Sequence, residues 1–182
     1  MKDKSLKGTF PVVFLTLVAL IAVGLLVGID SITAEKIEQQ EDQKIQEMLA
    51  EMFADMDSYQ ADDPVEDIYT IYDDGDVIGY SFETVGKGYG GDIKLLIGLE
   101  NDKTTLKGVT VISQGETPGL GSRITENAFL DMFAGIDKSD VALSKDGGQI
   151  DAITGATISS SAVVDAVMGA ISEKVQLLGG SE

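Results

Sequence analysis

The chain of 182 residues contains no cysteine and no histidine, which excludes thiol nucleophiles, disulfides, Cys-ligated iron–sulfur clusters and histidine-ligated haem or zinc, but not a carboxylate-only calcium or magnesium site. Any redox work therefore falls to a bound organic cofactor. Net charge is −18, and beyond residues 1–8 the chain carries 10 basic and 30 acidic side chains, a surface that repels nucleic acid and anionic headgroups and serves either as a solvated face or to steer a basic partner.

Residues 1–9 form a short basic segment in which Lys2, Lys4 and Lys7 oppose Asp3. Phe10–Ile29 follows as a twenty-residue apolar run, interrupted only by Pro11, Thr16, Gly24 and Gly28. At about 1.5 Å per residue it matches a hydrocarbon core of about 30 Å, so residues 10–29 are predicted to be a transmembrane helix. Lysines precede it while Asp30, Glu35 and Glu38 follow, which places the N-terminus in the cytoplasm and the rest of the chain outside the cell membrane. A cleaved signal peptide is the competing reading, but signal cores are shorter and no clear A-x-A site follows.

Residues 30–60 are expected to link anchor and domain. From Ser31 to Met56 the sequence reads as an amphipathic helix, with Ile37, Ile45, Met48, Leu49, Met52, Phe53 and Met56 at three- and four-residue spacing, the methionines serving as packing. This helix would dock on the domain of residues 61–182. Ile68–Tyr72 and Val77–Thr84 flank the turn signal Asp73-Asp74-Gly75-Asp76 and predict a hairpin. Asp92–Leu99 and Lys107–Gln114 form a second pair joined by a polar turn around Asn101 and Asp102, after a glycine-rich loop at 86–91. A short helix is expected over Thr125–Phe133, and a final one over Ser159–Leu178 with Val163, Ala166, Val167, Ala170, Ile171 and Leu178 along one side. The class is α+β: a single N-terminal transmembrane helix, then a mostly antiparallel sheet with packed helices.

Chemistry concentrates in Asp151-Ala152-Ile153-Thr154-Gly155-Ala156-Thr157-Ile158-Ser159-Ser160. Small residues and hydroxyls lead here into a helix whose unpaired amides and positive end suit a phosphate. Ser159, Ser160 and Ser161 are placed to cap that helix or to donate to phosphate oxygens. Taken alone, the same stretch also fits an ordinary helix start with an N-capping hydroxyl. The loop Gln114-Gly115-Glu116-Thr117-Pro118-Gly119-Leu120-Gly121 combines one fixed φ with permissive glycines, and alone fits a strand-to-helix turn. The G-x-G at 86–91 does not open a helix, so it is no dinucleotide fingerprint.

Together these motifs resemble FMN-binding domains, most closely the G subunit of the Rnf ion-translocating ferredoxin:NAD oxidoreductase and, less so, the C subunit of the sodium-pumping quinone reductase. The run D-A-I-T-G-A-T resembles the family's flavinylation signature, matched at Asp151, Thr154, Gly155, Ala156 and Thr157. The resemblance implies that a flavin transferase joins the FMN phosphate to Thr157. The second motif, E-T-P-G-L-G, implies that Glu116, Thr117, Gly119 and Leu120 flank the cofactor, with Leu120 on the ring and Thr117 at its polar edge. Tyr89, in the Gly-Tyr-Gly-Gly segment, becomes a candidate ring contact, weighed against a surface turn. Ser159 and Ser160 complete the expected phosphate surroundings.

Three functions follow. The first is an electron carrier held among other membrane subunits of an ion-translocating complex, not catalytic alone, since no general acid or base is evident. The second is a free-standing extracytoplasmic flavoprotein relay. The third is an anchored binding module without cofactor. No metal site and no nucleic-acid partner are expected.

Overall fold

The computed structural model describes residues 6–63 and 68–178, with side chains over 11–24, 42–61 and 68–178. The chain divides into two compact units, residues 1–45 and 46–182. Nearly all of the first is one helix, α1, which runs Leu6–Met52 and gives its last residues to the second. Over residues 11–24 that helix exposes Val12, Val13, Phe14, Leu15, Leu17, Val18, Leu20, Ile21 and Val23. Among the described residues no helix is long and apolar enough to cross a membrane. Of the expected span 10–29, the side chains of residues 10 and 25–29 lie outside those described, as does that of Ile37.

The second unit is built on a five-stranded antiparallel meander in the order β1-β2-β3-β4-β5. Its strands are β1 Ser58–Asp63, β2 Ile68–Asp73, β3 Asp76–Lys87, β4 Asp92–Glu100 and β5 Leu106–Gln114. The β2–β3 turn has positive φ at Asp74 and Gly75 (49° and 87°), the backbone that a tight hairpin requires and that the D-G pair tolerates. In register, Phe82 faces Ile97 and Ser81 faces Gly98. Alternation therefore gives the sheet two different faces.

One face holds Phe82, Ile93, Leu95, Ile97 and Leu99, buried with Val163, Val164, Val167 and Ile171 of helix α3, Thr157–Leu177. Gly86 makes that contact close: a Cβ there would lie 2.6 Å from the Ala162 carbonyl oxygen. On the opposite face, Gly79 and Gly98 leave room for Met52 and Phe53 at the end of α1. The helix stops at Met52, short of the expected Met56, and the expected linker ends in β1 instead. Between β5 and α3 the chain makes short helical turns, among them α2 at Asn127–Leu130, which bury Ile124, Phe129 and Phe133 under the same face. The expected helix over 125–133 is thus broken into separate turns.

Candidate functional site

Three segments meet at one end of the second unit: the β3–β4 loop around Tyr89, the loop after β5, and the start of α3. They enclose an open cleft of about 460 Å³ lined by Tyr89, Glu116, Thr117, Leu120, Gly121, Gly155, Ala156, Thr157, Ile158 and Ser159. That volume falls in the range of small-molecule and cofactor sites, about 300–1,000 Å³.

Glu116 is the polar centre. It is 6% exposed, and each carboxylate oxygen has its own donor. The Gly90 amide donates to Oε1 at 2.9 Å and the Ser159 hydroxyl to Oε2 at 2.6 Å. The Gln114 side-chain oxygen accepts the Glu116 amide. Around the carboxylate the chain is pared to glycine: a Cβ on Gly88 or Gly121 would strike its oxygens, and one on Gly90 would strike the Gly115 carbonyl.

The turn 117–122 is closed by the amides of Leu120 and Ser122 donating to the Thr117 carbonyl, and by the Gly119 amide donating to Ser122 Oγ. Gly119 has φ +76°, a conformation that disfavours other residues. The turn leaves Leu120 half exposed on the cleft wall. Tyr89 and Ile158 are exposed as well, so the mouth is apolar.

At the start of α3, Gly155 adopts φ +82° and Ala156 stands at the N-cap position with no side-chain cap. Thr157 is the first helical residue and is exposed. Of the two roles expected of the serines, capping this helix is not seen. Ser159 is committed to Glu116, while the Ser160 hydroxyl accepts the Ile153 amide at 3.0 Å and donates to the Ala156 carbonyl at 3.1 Å. The first-turn amides of a 21-residue helix are left without a side-chain partner, the arrangement that receives an anion.

Of the residues singled out from the sequence, Tyr89, Glu116, Thr117, Leu120, Gly155, Ala156, Thr157 and Ser159 line the cleft together. Asp151, Thr154, Gly119 and Ser160 do not line it. Asp151 accepts the Ser144 hydroxyl at 2.6 Å, Thr154 is exposed, and Gly119 and Ser160 take part in the hydrogen bonds that close the two turns. Gly121 and Ile158 also line the cleft. Gly121 closes the motif already singled out, whereas nothing marked Ile158, an apolar residue at the start of an amphipathic helix. A flavin phosphate fits this chemistry: the uncapped helix start would receive an anion beside the Thr157 hydroxyl, and Leu120, Ile158 and Tyr89 would offer apolar surface to a ring.

A family model for the FMN-binding domain matches residues 88–172, and one for the RnfG N-terminal region matches residues 12–52. The G subunit of the ion-translocating oxidoreductase complex of Methanosarcina acetivorans is 47% identical over 53% of this chain and 52% of its own length. The G subunits of the same complex in Shewanella baltica and Vibrio cholerae are 31% and 35% identical, over 94% and 86% of this chain and 90% and 85% of theirs. Among solved structures, the C subunit of the Na(+)-translocating NADH-quinone reductase of Parabacteroides distasonis matches with a TM-score of 0.54 at 29% identity, over 63% of each chain. NqrC of Shewanella oneidensis shares the fold, with a TM-score of 0.50 at 24% identity over 60% of each chain.

Proposed function

Since this chain belongs to the family of G subunits of ion-translocating oxidoreductase complexes, we propose that it is a membrane-anchored electron-transfer protein of such a complex, with one FMN bonded through its phosphate to Thr157. The observation that carries this reading is the Thr157 hydroxyl, exposed at the uncapped start of α3 on the wall of the cleft.

Within that cleft Thr157 and the first-turn amides hold the phosphate, Leu120, Ile158 and Tyr89 flank the ring, and Thr117 meets its polar edge. Bound FMN supplies the electron transfer, while the chain fixes its orientation and keeps it from leaving between redox states. During maturation a flavin transferase joins Thr157 Oγ1 to the phosphorus by breaking the phosphoanhydride bond of an activated flavin nucleotide. The nucleotide half departs while the hydroxyl proton goes to water, so that the chain gains FMN less one water. Partners are the other membrane subunits of a complex that passes electrons between ferredoxin and NAD. The apolar stretch of α1 anchors the chain, with the basic N-terminus inside and the sheet domain outside. Ferredoxins are acidic, as is this chain, so direct docking between the two is disfavoured and membrane subunits are its electron partners.

Intact mass and in-gel fluorescence of the denatured full chain test the linkage, beside Thr157→Ala, in a host with an active flavin transferase. The expected result is a mass gain of one FMN less one water, with both mass gain and fluorescence lost in the variant. An unmodified wild-type mass overturns the reading.

A further inference from the structure

Among the described residues Glu116 pairs with no cation, although it is buried and lines the cleft. Burying a carboxylate without a counter-ion is costly, so the fold must use it. Its two oxygens go to two different segments: Oε1 takes the Gly90 amide from the β3–β4 loop, and Oε2 takes the Ser159 hydroxyl, two residues beyond Thr157. Its own loop supplies the third wall. Gly88 and Gly121 lie so close to the carboxylate that a Cβ at either position would push it out of place. Glu116 is therefore a side chain that ties all three walls of the cleft together.

Its charge has a second consequence. The neutral donors soften the charge without cancelling it, and a fixed negative charge on the wall of the cleft opposes the arrival of electrons there. We infer that Glu116 is a positioning residue that holds the Thr157 turn and the Tyr89 loop at the spacing a flavin needs, and that its charge holds the potential of that flavin down. This inference rests on the flavin reading proposed above.

Glutamine separates the two roles. Its carbonyl oxygen still accepts the Gly90 amide, and its NH₂ donates to a Ser159 hydroxyl that turns to accept. Glu116→Gln keeps the tie and removes the charge. Glu116→Ala removes both, and Ser159→Ala removes one arm while keeping the charge.

The test uses the full chain co-expressed with a flavin transferase. Covalent loading is read by intact mass at a fixed expression time, and the midpoint potential of the loaded fraction by spectroelectrochemical titration. Glu116→Ala loads about tenfold less than wild type, the effect of losing a buried hydrogen-bond partner. Glu116→Gln recovers much of that loss and titrates at a more positive potential. Ser159→Ala loads less well than wild type but titrates close to it.

Wild-type loading in Glu116→Ala removes the positioning role, and a wild-type potential in Glu116→Gln removes the charge role. Should Glu116→Ala not fold, Glu116→Gln against Ser159→Ala decides: equal shifts in potential overturn the inference. An unloaded wild type sinks the flavin reading itself, and is told apart from these outcomes because the variants are compared only where wild type carries flavin.

Discussion

Asp102 shows how a single exposed side chain fixes a turn that later elements depend on. Its carboxylate accepts the amides of Thr104 and Thr105 and the Thr105 hydroxyl, at 2.8, 2.9 and 2.6 Å. These bonds, the Thr105 hydroxyl foremost, favour the charged form and hold the group well below the usual carboxylate range. A depressed folded pKa stabilises the fold above the unfolded value of about 3.9, and that contribution is lost as pH falls toward the folded pKa. The melting temperature of Asp102→Ala should lie below wild type at pH 7, with the gap narrowing as pH falls below about 4. A gap that stays constant across the range rules this out. The Asn101-Asp102 turn was legible in the sequence as a polar break between apolar strands. The sequence left the role of the serines after Thr157 open for a related reason. A hydroxyl near a helix start has several acceptors within reach, and only the folded chain shows that Ser159 turns to Glu116, which is 43 residues away in sequence.

For the elements, the strands carried by alternating apolar residues and bounded by D-G or N-D turns were readable, and so was the final helix. β1 was not. Ser58-Tyr59-Gln60-Ala61-Asp62-Asp63 has almost no apolar content, and it becomes a strand because β2 presents an open edge to it. The turns at 121–146 carry too little periodicity to be read from sequence; burial of Ile124, Phe129 and Phe133 under the sheet decides them. Packing of α3 on β3 yields a prediction of opposite signs at two glycines. At Gly86 a methyl would press on the Ala162 backbone at 2.6 Å, so Gly86→Ala should lose about 1–3 kcal/mol through overpacking. Gly169 lies exposed inside α3 with nothing within 4 Å of a new Cβ. Gly169→Ala should gain about 0.5–1 kcal/mol from helix propensity. Urea midpoints of the two variants check both, and a Gly86→Ala midpoint at or above wild type would show that α3 yields freely.

At the scale of the whole molecule the sequence divides the chain by hydropathy, whereas the structure divides it by contact, at residues 45 and 46. The end of α1 falls to the sheet unit because Met52 and Phe53 fit over Gly79 and Gly98 on the paired strands β3 and β4, a contact with residues far along the chain that local periodicity cannot show. In the unit before it, the apolar side chains of residues 11–24 stand in the open. Leu15, Leu17 and Leu20 are each more than half exposed, and side chains of this kind in a row are costly in water. A bilayer removes that cost, which is the physical case for an anchor here. Full-length chain should therefore stay in the membrane pellet through an alkaline carbonate wash. Placing lysine at Leu17 and Leu20 (Leu17→Lys with Leu20→Lys) adds about 2.5–3.5 kcal/mol per residue to insertion at the helix centre, and should release the chain to the supernatant. Retention of the double variant would mean that other subunits, rather than this helix, hold the protein at the membrane. Release of the wild type would remove the anchor and leave only the sheet unit to find its electron partners.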